Sequence, residues 1–461
     1  MSSKKSSNVS SRYIACEILC SILEFGENSQ EVLNWQLQNA AATAQERAQI
    51  TAMVYGTIDY LTYLDFCLEA NLKKPLLRLE PMVRTILRLG VWQILKSYAI
   101  PKPVAVSESV KLCHDFQLNY AKGLVNAVLR NVNEPELNRR QEHLRYGMNS
   151  ELFGLLRKWY SADAIEIATS YLRHRQYLTV KLSPKALAKK AGLLQSWREQ
   201  GVEVEEDTYF PDSLRLKLNG TVLSNLEGYA DGWFYIQDEA AMLPAAIMEA
   251  YYSESNNHLR ILDLCAGVGG KSIDLAWNLP YADIYANEPN QHRRQLLLDN
   301  IAKYNVDLQV SDILFTATTE FIADNFDAVL IDAPCSGLGV VGHKPEIKHR
   351  LTYDQVQTFP KLQLDLIEAA KKLLVDGGIL LYATCTINPS ENQLIADRLL
   401  ADTDFEPVSL TGLLPDKLNN ELVKYSDEGL NLDLGRVFLR PDRLPVDGFF
   451  VQVARKNEQA K

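Results

Sequence analysis

The chain has 461 residues, of which 47% are hydrophobic and 23% charged, and its formal net charge is −10. This length exceeds what one hydrophobic core usually supports, so we expect two or three domains with the composition of a soluble globular protein. The acidic balance argues against indiscriminate nucleic-acid binding. The segment Met1–Ser11 is polar and does not resemble a signal peptide, and the sequence contains no apolar run of membrane-spanning length. We therefore expect a cytoplasmic protein without membrane contact.

Residues 1–145 predict an all-α bundle, because their apolar residues recur at three- and four-residue spacing. The most apolar segment follows Pro81 and is expected to form the buried centre of this bundle. Residues 146–232 combine helical segments with short strand-like runs at Leu178–Leu182 and Leu214–Leu218, which predicts a small α+β module.

Basic residues are concentrated from Lys122 to Lys190, a segment that contains 13 Lys and Arg residues and 6 Asp and Glu residues. If these charges share a face, they can contact several phosphates of a nucleic acid. A solvated charged surface explains the same composition equally well.

Residues 233–461 alternate strand-like runs with helical segments, which predicts a parallel, doubly wound sheet and an α/β fold. The runs are Ile261–Leu264, Ile284–Glu288, Leu308–Asp312, Ala328–Ile331, Ile379–Ala383 and Gly448–Val453. The stretch Asp402–Leu444 is irregular and indicates no function.

A glycine-rich turn follows the first of these runs and reads Cys265-Ala266-Gly267-Val268-Gly269-Gly270-Lys271. Glycines let the backbone approach a ligand closely, and the first N–H groups of the next helix can bind an anionic group. The turn lacks the spacing of a Walker A loop, so a nucleotide site and a structural turn explain it about equally well.

Carboxylates at the ends of the next two strands favour the nucleotide site. Glu288 is expected where ribose hydroxyl groups would be bound, and Asp312 where an adenine would lie. An adenosine without phosphates suits S-adenosylmethionine, although each carboxylate taken singly is also explained as a solvated strand end.

Two further strand runs lead into cysteines, in Asp332-Ala333-Pro334-Cys335-Ser336 and in Ala383-Thr384-Cys385-Thr386. Ligands bind outside the carboxyl ends of parallel strands, so we expect both thiols to face one cleft. A thiolate that adds to carbon 6 of a pyrimidine makes carbon 5 nucleophilic toward a methyl donor. Strand-end position alone does not decide which thiol adds. The seven cysteines of the chain lack zinc-ligand spacing, which predicts reduced thiols and no metal.

Both cysteine motifs, with Pro389 and Glu391-Asn392 after the second, resemble those of the RNA cytosine-5 methyltransferases. Strings such as Val54-Tyr55-Gly56-Thr57 in the first third resemble the NusB-type helical RNA-binding domain. Nearly the whole chain is thus similar to the RsmB (Sun/Fmu) family, which acts on cytosine in 16S ribosomal RNA.

The resemblance implies that Cys385 is the nucleophile, that Cys335 assists product release and that Asp332 holds the edge of the cytosine. It also implies that S-adenosylmethionine is bound by Cys265 to Lys271, Glu288, Asp312 and Asp332. Where the family usually has Ala-Pro, this chain has Gly267-Val268, so we expect a turn that lacks one proline restraint.

Two alternatives stay open at this point. One is a cytosine-5 methyltransferase of transfer RNA or another RNA. The other is a non-catalytic RNA-binding assembly factor with a vestigial cofactor fold, against which the presence of both cysteines and Asp332 argues. The sequence indicates ribosomal RNA as the partner, and it does not indicate an oligomer.

Overall fold

A computed structural model describes residues 10–40, 42–97, 100–173, 177–255, 257–314, 326–425 and 431–458. Within these ranges, no helix is both long and apolar enough to cross a membrane. The described α-helices, numbered in chain order, are α1 Ser11–Phe25, α2 Ser29–Asn39, α3 Ala44–Asp59, α4 Leu61–Glu69, α5 Pro81–Leu95, α6 Lys102–Asp115, α7 Lys122–Asn131, α8 Ser150–Tyr160, α9 Ala164–Ser170, α10 Pro184–Leu187, α11 Lys190–Glu199, α12 Glu239–Tyr252, α13 Gly270–Asn278, α14 Gln291–Tyr304, α15 Ile347–Arg350, α16 Tyr353–Lys371, α17 Gln393–Leu400 and α18 Asp416–Lys424.

The described strands form two sheets. They are β1 Leu178–Leu182, β2 Glu203–Glu205, β3 Ser213–Lys217, β4 Phe234–Ile236, β5 Leu259–Asp263, β6 Ala282–Asn287, β7 Gln309–Ser311, β8 Phe326–Asp332, β9 Leu374–Thr384, β10 Phe405–Pro407, β11 Arg436–Leu439 and β12 Phe449–Lys456.

The chain divides into two compact units, of residues 1–174 with 341–352 and of residues 175–340 with 353–461. Helices α8 and α9 fall in the first unit, whereas the small sheet falls in the second. These units do not follow the expected boundaries at 145 and 232, and the division into three domains stays a prediction.

The first unit is a helical bundle centred on α5, as the apolar segment after Pro81 predicted. Helix α5 contacts α1, α3, α4, α6 and α7. A Cβ atom added to Gly56 in α3 would lie 2.4 Å from the ring of Trp92 in α5, so the close approach of these helices requires glycine. Arg88 is 5% exposed within this bundle. It donates to both carboxylate oxygens of Asp65, at 2.7 and 2.9 Å, which neutralises a charge that is costly to bury.

Residues 341–352 join this bundle although they follow β8 in the sequence. Glu346 accepts hydrogen bonds from the backbone N–H and the hydroxyl of Ser29, at 3.2 and 2.8 Å. Nε2 of His349 lies 2.5 Å from the carbonyl oxygen of Ile58, and Arg350 donates to a carbonyl oxygen in α1. Directional polar contacts therefore fix this segment within the helical unit.

The second unit contains the small sheet, of strand order β2-β3-β1-β4 with antiparallel pairing throughout. Lys181 of β1 is 1% exposed, and its ammonium lies 2.5 Å from Asp212 and 2.8 Å from Asp274 of α13. This lysine belongs to the basic stretch of the sequence, but its burial and its two carboxylate partners remove it from any surface that could contact RNA.

The large sheet has the order β10-β12-β9-β8-β5-β6-β7, and β11 pairs with β12. Strands β5 to β9 pair in parallel, whereas β12 is antiparallel to β9, β10 and β11. The expectation of a purely parallel sheet is therefore corrected to a mixed one. The connection from Leu439 to Phe449 is too short for a helical crossover, so the chain returns as an antiparallel strand.

Alternate residues of the central strands belong to two separate cores. Ile261, Ala328 and Leu330 lie in one core, and Leu262 and Val329 lie in the other. Helices thus cover both faces of the sheet, as the continuous apolar strand runs predict.

Candidate active site

The glycine-rich turn connects β5 to α13 at the carboxyl end of the central strands. Gly267 and Gly269 have φ of 59° and 94°, in the left-handed region that favours glycine. A Cβ atom at Gly269 would lie 2.5 Å from the side chain of Leu297, whereas the space beside Gly267 is open to 4 Å. The turn therefore has an open side where a ligand could approach the backbone.

Asp263 braces this turn from the end of β5. It is fully buried and accepts hydrogen bonds from the hydroxyl of Ser272, at 2.6 Å, and from the N–H of Cys265, at 3.3 Å. Burial raises the pKa of Asp263 to about 6. Burial also raises the pKa of the half-buried Cys265 thiol well above its usual value, so this third cysteine is held as a neutral thiol.

Glu288 and Asp312 follow the two neighbouring strands, as predicted, but they differ in exposure. Glu288 is 2% exposed and accepts from the N–H of Asn290 at 2.7 Å. The Asp312 side chain is 66% exposed and lies 3.3 Å from Arg294. Glu288 is thus held in one position, whereas the side chain of Asp312 is largely exposed to solvent.

Asn287 is a residue that sequence reasoning missed. Its amide group donates to the carbonyl oxygens of Leu264 and Ile313, at 3.1 and 3.0 Å, and accepts from the N–H of Ile313 at 2.9 Å. It thereby connects the segments that follow β5, β6 and β7. A polar residue at the buried end of a strand, directly before Glu288, was the available signal.

Lys271 in the first turn of α13 lies 2.5 Å from Asp332 at the end of β8. Burial disfavours the charged form of this lysine, but the Asp332 carboxylate outweighs burial, and the pKa of Lys271 is raised. A paired cation and carboxylate therefore lie beside the glycine-rich turn.

The thiols of Cys335 and Cys385 are in contact. Strands β8 and β9 pair in parallel with Asp332 opposite Ala383, and the N–H of Ala333 donates to the Ala383 carbonyl at 2.8 Å. The sulfur atoms of Cys335 and Cys385 are 3.3 Å apart. Contact with Cys385, then burial, raises the pKa of Cys335 well above its usual value. The arrangement holds one neutral thiol against a second thiol.

The basic stretch from Lys122 to Lys190 is divided between the two units, so no common face can be assigned to it. Arg139, Arg140, Lys185 and Lys189 are exposed. The Lys189 ammonium also lies 4.9 Å from the centre of the Trp233 ring. Arg175 lies outside the described residues.

The sheet order, the glycine-rich turn and the carboxylates at the following strand ends define a Rossmann-like methyltransferase domain. Residues 250–454 match the model of the 16S rRNA methyltransferase RsmB/F family, and residues 9–134 match that of the NusB family. The second half of the chain thus contains a domain that matches the RsmB/F methyltransferases, and the first third contains a domain that matches the NusB family.

Similar proteins match both halves together. The chain is 28% identical to the "Probable ribosomal RNA small subunit methyltransferase B" of Bacillus subtilis, over 96% of this chain and 98% of that protein. It is 29% identical to the "Ribosomal RNA small subunit methyltransferase B" of Vibrio cholerae, over 80% of this chain and 86% of that protein.

Two solved structures support the fold. The crystal structure of PH0851 matches with a TM-score of 0.82 at 21% identity, over 98% of this chain and 100% of that chain. The crystal structure of NSun6 from Pyrococcus horikoshii with SFG matches with a TM-score of 0.54 at 17% identity, over 68% and 99%.

Proposed function

We propose that this protein methylates carbon 5 of a cytosine in small-subunit ribosomal RNA, through a covalent adduct between Cys385 and carbon 6 of the base. The observation that carries the proposal is the pair of thiols 3.3 Å apart at neighbouring strand ends. The names of the relatives supply the RNA class. A ribosomal RNA substrate implies that the protein acts in the cytoplasm, where ribosomes assemble.

The residues at the glycine-rich turn fit S-adenosylmethionine. The open side of Gly267 admits a ligand to the backbone, and the N–H groups at the start of α13 suit its carboxylate. Glu288 contacts Asn290 and Arg293 through the same oxygen, Oε1. Among the described residues, neither of these contacts uses Oε2, which can therefore accept hydrogen bonds from ribose hydroxyl groups. Cys265, Ala266, Val268, Gly269, Gly270, Lys271, Asp312 and Asp332 complete the proposed binding residues.

Cys385 acts as the nucleophile. Its thiolate adds to carbon 6 of the cytosine, which makes carbon 5 electron-rich. Asp332 holds the polar edge of the base. The nearby Lys271 ammonium offsets the negative charge that develops on the ring. When bound, S-adenosylmethionine supplies the electrophilic methyl group.

Cys335 assists release. The proton on carbon 5 is lost to solvent, the bond between carbon 6 and sulfur breaks, and its electron pair returns to Cys385. The neutral Cys335 thiol, 3.3 Å away, donates a hydrogen bond that stabilises the departing thiolate.

The test is methylation with S-adenosylmethionine carrying a labelled methyl group. The full chain is incubated with unmethylated small-subunit ribosomal RNA, with transfer RNA or with no RNA, and the labelled nucleosides are then identified. We expect label in 5-methylcytidine from the ribosomal RNA. Label only in transfer RNA would replace the proposed substrate. If neither RNA is labelled, the incubation is repeated with assembled small subunits, and the absence of label there as well would favour a non-catalytic assembly factor.

A further inference from the structure

Glu391 lies in the loop that follows Cys385, and its fully buried carboxylate connects three segments of the chain. One oxygen accepts from the N–H of Ser336 at 2.9 Å and from the amide of Gln363 at 3.0 Å. The other accepts from the Asn388 amide at 2.8 Å and from the Ser336 hydroxyl at 2.5 Å. Burial raises the pKa of Glu391, whereas the hydrogen bonds from Ser336, Asn388 and Gln363 act to lower it, because these donors favour the ionised carboxylate.

Ser336 and Thr386, the residues that directly follow the two cysteines, also contact each other. Their hydroxyl oxygens are 2.7 Å apart. Glu391 therefore connects the loop of Cys335 to the loop of Cys385 by hydrogen bonds. Its negative charge is buried beside the Cys335 loop. Both oxygens of the Glu391 carboxylate are paired within this buried network, which favours one geometry.

We propose that Glu391 is a positioning residue of the two-thiol site, which fixes Cys335 beside Cys385 and keeps Cys335 in its protonated form. This proposal rests on the proposed function only for the roles of the two thiols, nucleophile and release. Glu391 distinguishes two cysteines that otherwise occupy equivalent strand ends. With Cys335 kept neutral, Cys385 is the thiol that reacts as thiolate.

The charges around Cys335 agree with this role. Contact with Cys385 comes first among the causes that raise the pKa of Cys335, followed by burial, and the Glu391 charge acts in the same direction. Tyr382 also interacts with Cys335, but burial raises the pKa of Tyr382 well above its usual value, so this phenol contributes no charge. The Lys271 ammonium acts on Cys385.

The experiment follows alkylation of each thiol by iodoacetamide between pH 6 and 10, resolved by peptide mass spectrometry. In a Cys385→Ser background, the pH midpoint for Cys335 is compared with and without Glu391→Gln. We expect Glu391→Gln to lower this midpoint by about one pH unit, because a nearby negative charge is removed. Glu391→Asp, which keeps the charge, should preserve the higher midpoint.

Asn392→Ala is the matched control, because Asn392 is buried in the same loop and bonds Thr384 and Thr386 without carrying a charge. It should leave the midpoint unchanged. A loss of packing alone would also lower the midpoint, because burial raises the pKa of Cys335, and it would do so in Asn392→Ala as well. An equal shift in Glu391→Gln and Asn392→Ala would therefore overturn the proposal.

A second measurement needs no variant. In the unmodified chain we expect iodoacetamide to alkylate Cys385 before Cys335 throughout this pH range. Faster reaction of Cys335 would contradict the assignment, even if Glu391→Gln failed to fold. Neither measurement uses RNA or S-adenosylmethionine, so a failed methylation assay would count against the proposed function and not against this role of Glu391.

Discussion

Asn300 holds the glycine-rich turn from the neighbouring helix α14. Its side-chain amide donates to the carbonyl oxygen of Val268 at 2.8 Å. This hydrogen bond restrains the turn at the position where the family usually has proline. A hydrogen bond from outside the turn thus supplies part of the restraint that Gly267-Val268 lacks.

Replacing Asn300 by Ala should weaken binding of S-adenosylmethionine by about 2- to 10-fold, the effect of removing one hydrogen bond. Titration calorimetry measures the dissociation constant. Val268→Pro in the Asn300→Ala chain should recover part of the affinity, because proline stiffens the empty turn. Gln295→Ala on the same helix is the control, since its amide bonds Asp299 and not the turn. Equal weakening in both variants would show that α14 acts only through its stability.

For single residues, the sequence predicts the position of those that lie just beyond the end of a strand. Cys335, Cys385 and Lys271 lie beyond the carboxyl ends of β8, β9 and β5, because a chain that leaves a parallel strand emerges at a known edge of the sheet. The contacts of Glu391, Asn287 and Asn300 could not be predicted. They depend on the direction of loop and helix side chains across more than 20 residues, which no local periodicity encodes.

Helix α15 carries His349, which is partly buried in the helical unit. Nε2 contacts the Ile58 carbonyl and Nδ1 lies 3.3 Å from the hydroxyl of Thr62, so the neutral ring has a donor and an acceptor role. Burial, and then the charge of Lys348, lowers the pKa of His349 to about 3 from its usual 6.5. The unfolded chain therefore binds more protons between these values. This contribution to stability is present above pH 6.5 and is lost as the pH falls.

His349→Gln keeps an N–H donor but does not titrate. Between pH 7 and pH 5 the unmodified chain should lose about 2 kcal/mol more of its unfolding free energy than His349→Gln loses. Urea unfolding followed by circular dichroism at both pH values measures this difference. The exposed His114 gives the control His114→Gln, which should keep the steep pH dependence. Parallel pH profiles for His349→Gln and the unmodified chain would contradict the burial argument.

Elements with a strong local pattern were predicted well. Strand β1 occupies the predicted residues, and α5 is the centre of its bundle. The placement of residues 341–352 in the helical unit and the antiparallel entry of β12 were not predicted, because both depend on packing between segments far apart in the sequence.

For the whole molecule, the net charge of −10 conceals a basic stretch that is divided between two units. Lys181 is buried, and Lys190 lies 3.4 Å from Glu206. Arg139 and Arg140 in one unit, and Lys185 and Lys189 in the other, are exposed pairs of cations within this stretch.

Charge reversal of either pair, as Arg139→Glu with Arg140→Glu or Lys185→Glu with Lys189→Glu, should weaken binding of small-subunit RNA. The slope of log affinity against log salt should also decrease in magnitude by about 0.7 to 0.9 for each phosphate that the variant no longer neutralises. Binding assays from 50 to 200 mM salt give the slope. Lys424→Glu reverses an exposed charge outside the basic stretch and should leave the slope unchanged. If a reversed pair also leaves it unchanged, those residues form only a solvated surface.

The proposed reaction depends on different roles for two thiols that are in contact with each other. Cys385→Ala removes the proposed nucleophile and should abolish methyl transfer while cofactor binding remains. Cys335→Ala should still form the adduct and transfer the methyl group, and then release the RNA slowly. An unpaired cytosine should react more readily than one in a stable duplex, because the base must leave its stack.

The most direct measurement is denaturing electrophoresis of each variant after incubation with small-subunit RNA and S-adenosylmethionine. We expect Cys335→Ala to accumulate a covalent complex of protein and methylated RNA that survives denaturation. Cys385→Ala should give none, and the unmodified chain little. Accumulation by Cys385→Ala instead of Cys335→Ala would exchange the two roles. Methylated RNA formed by Cys385→Ala at the unmodified rate would contradict covalent catalysis by this thiol.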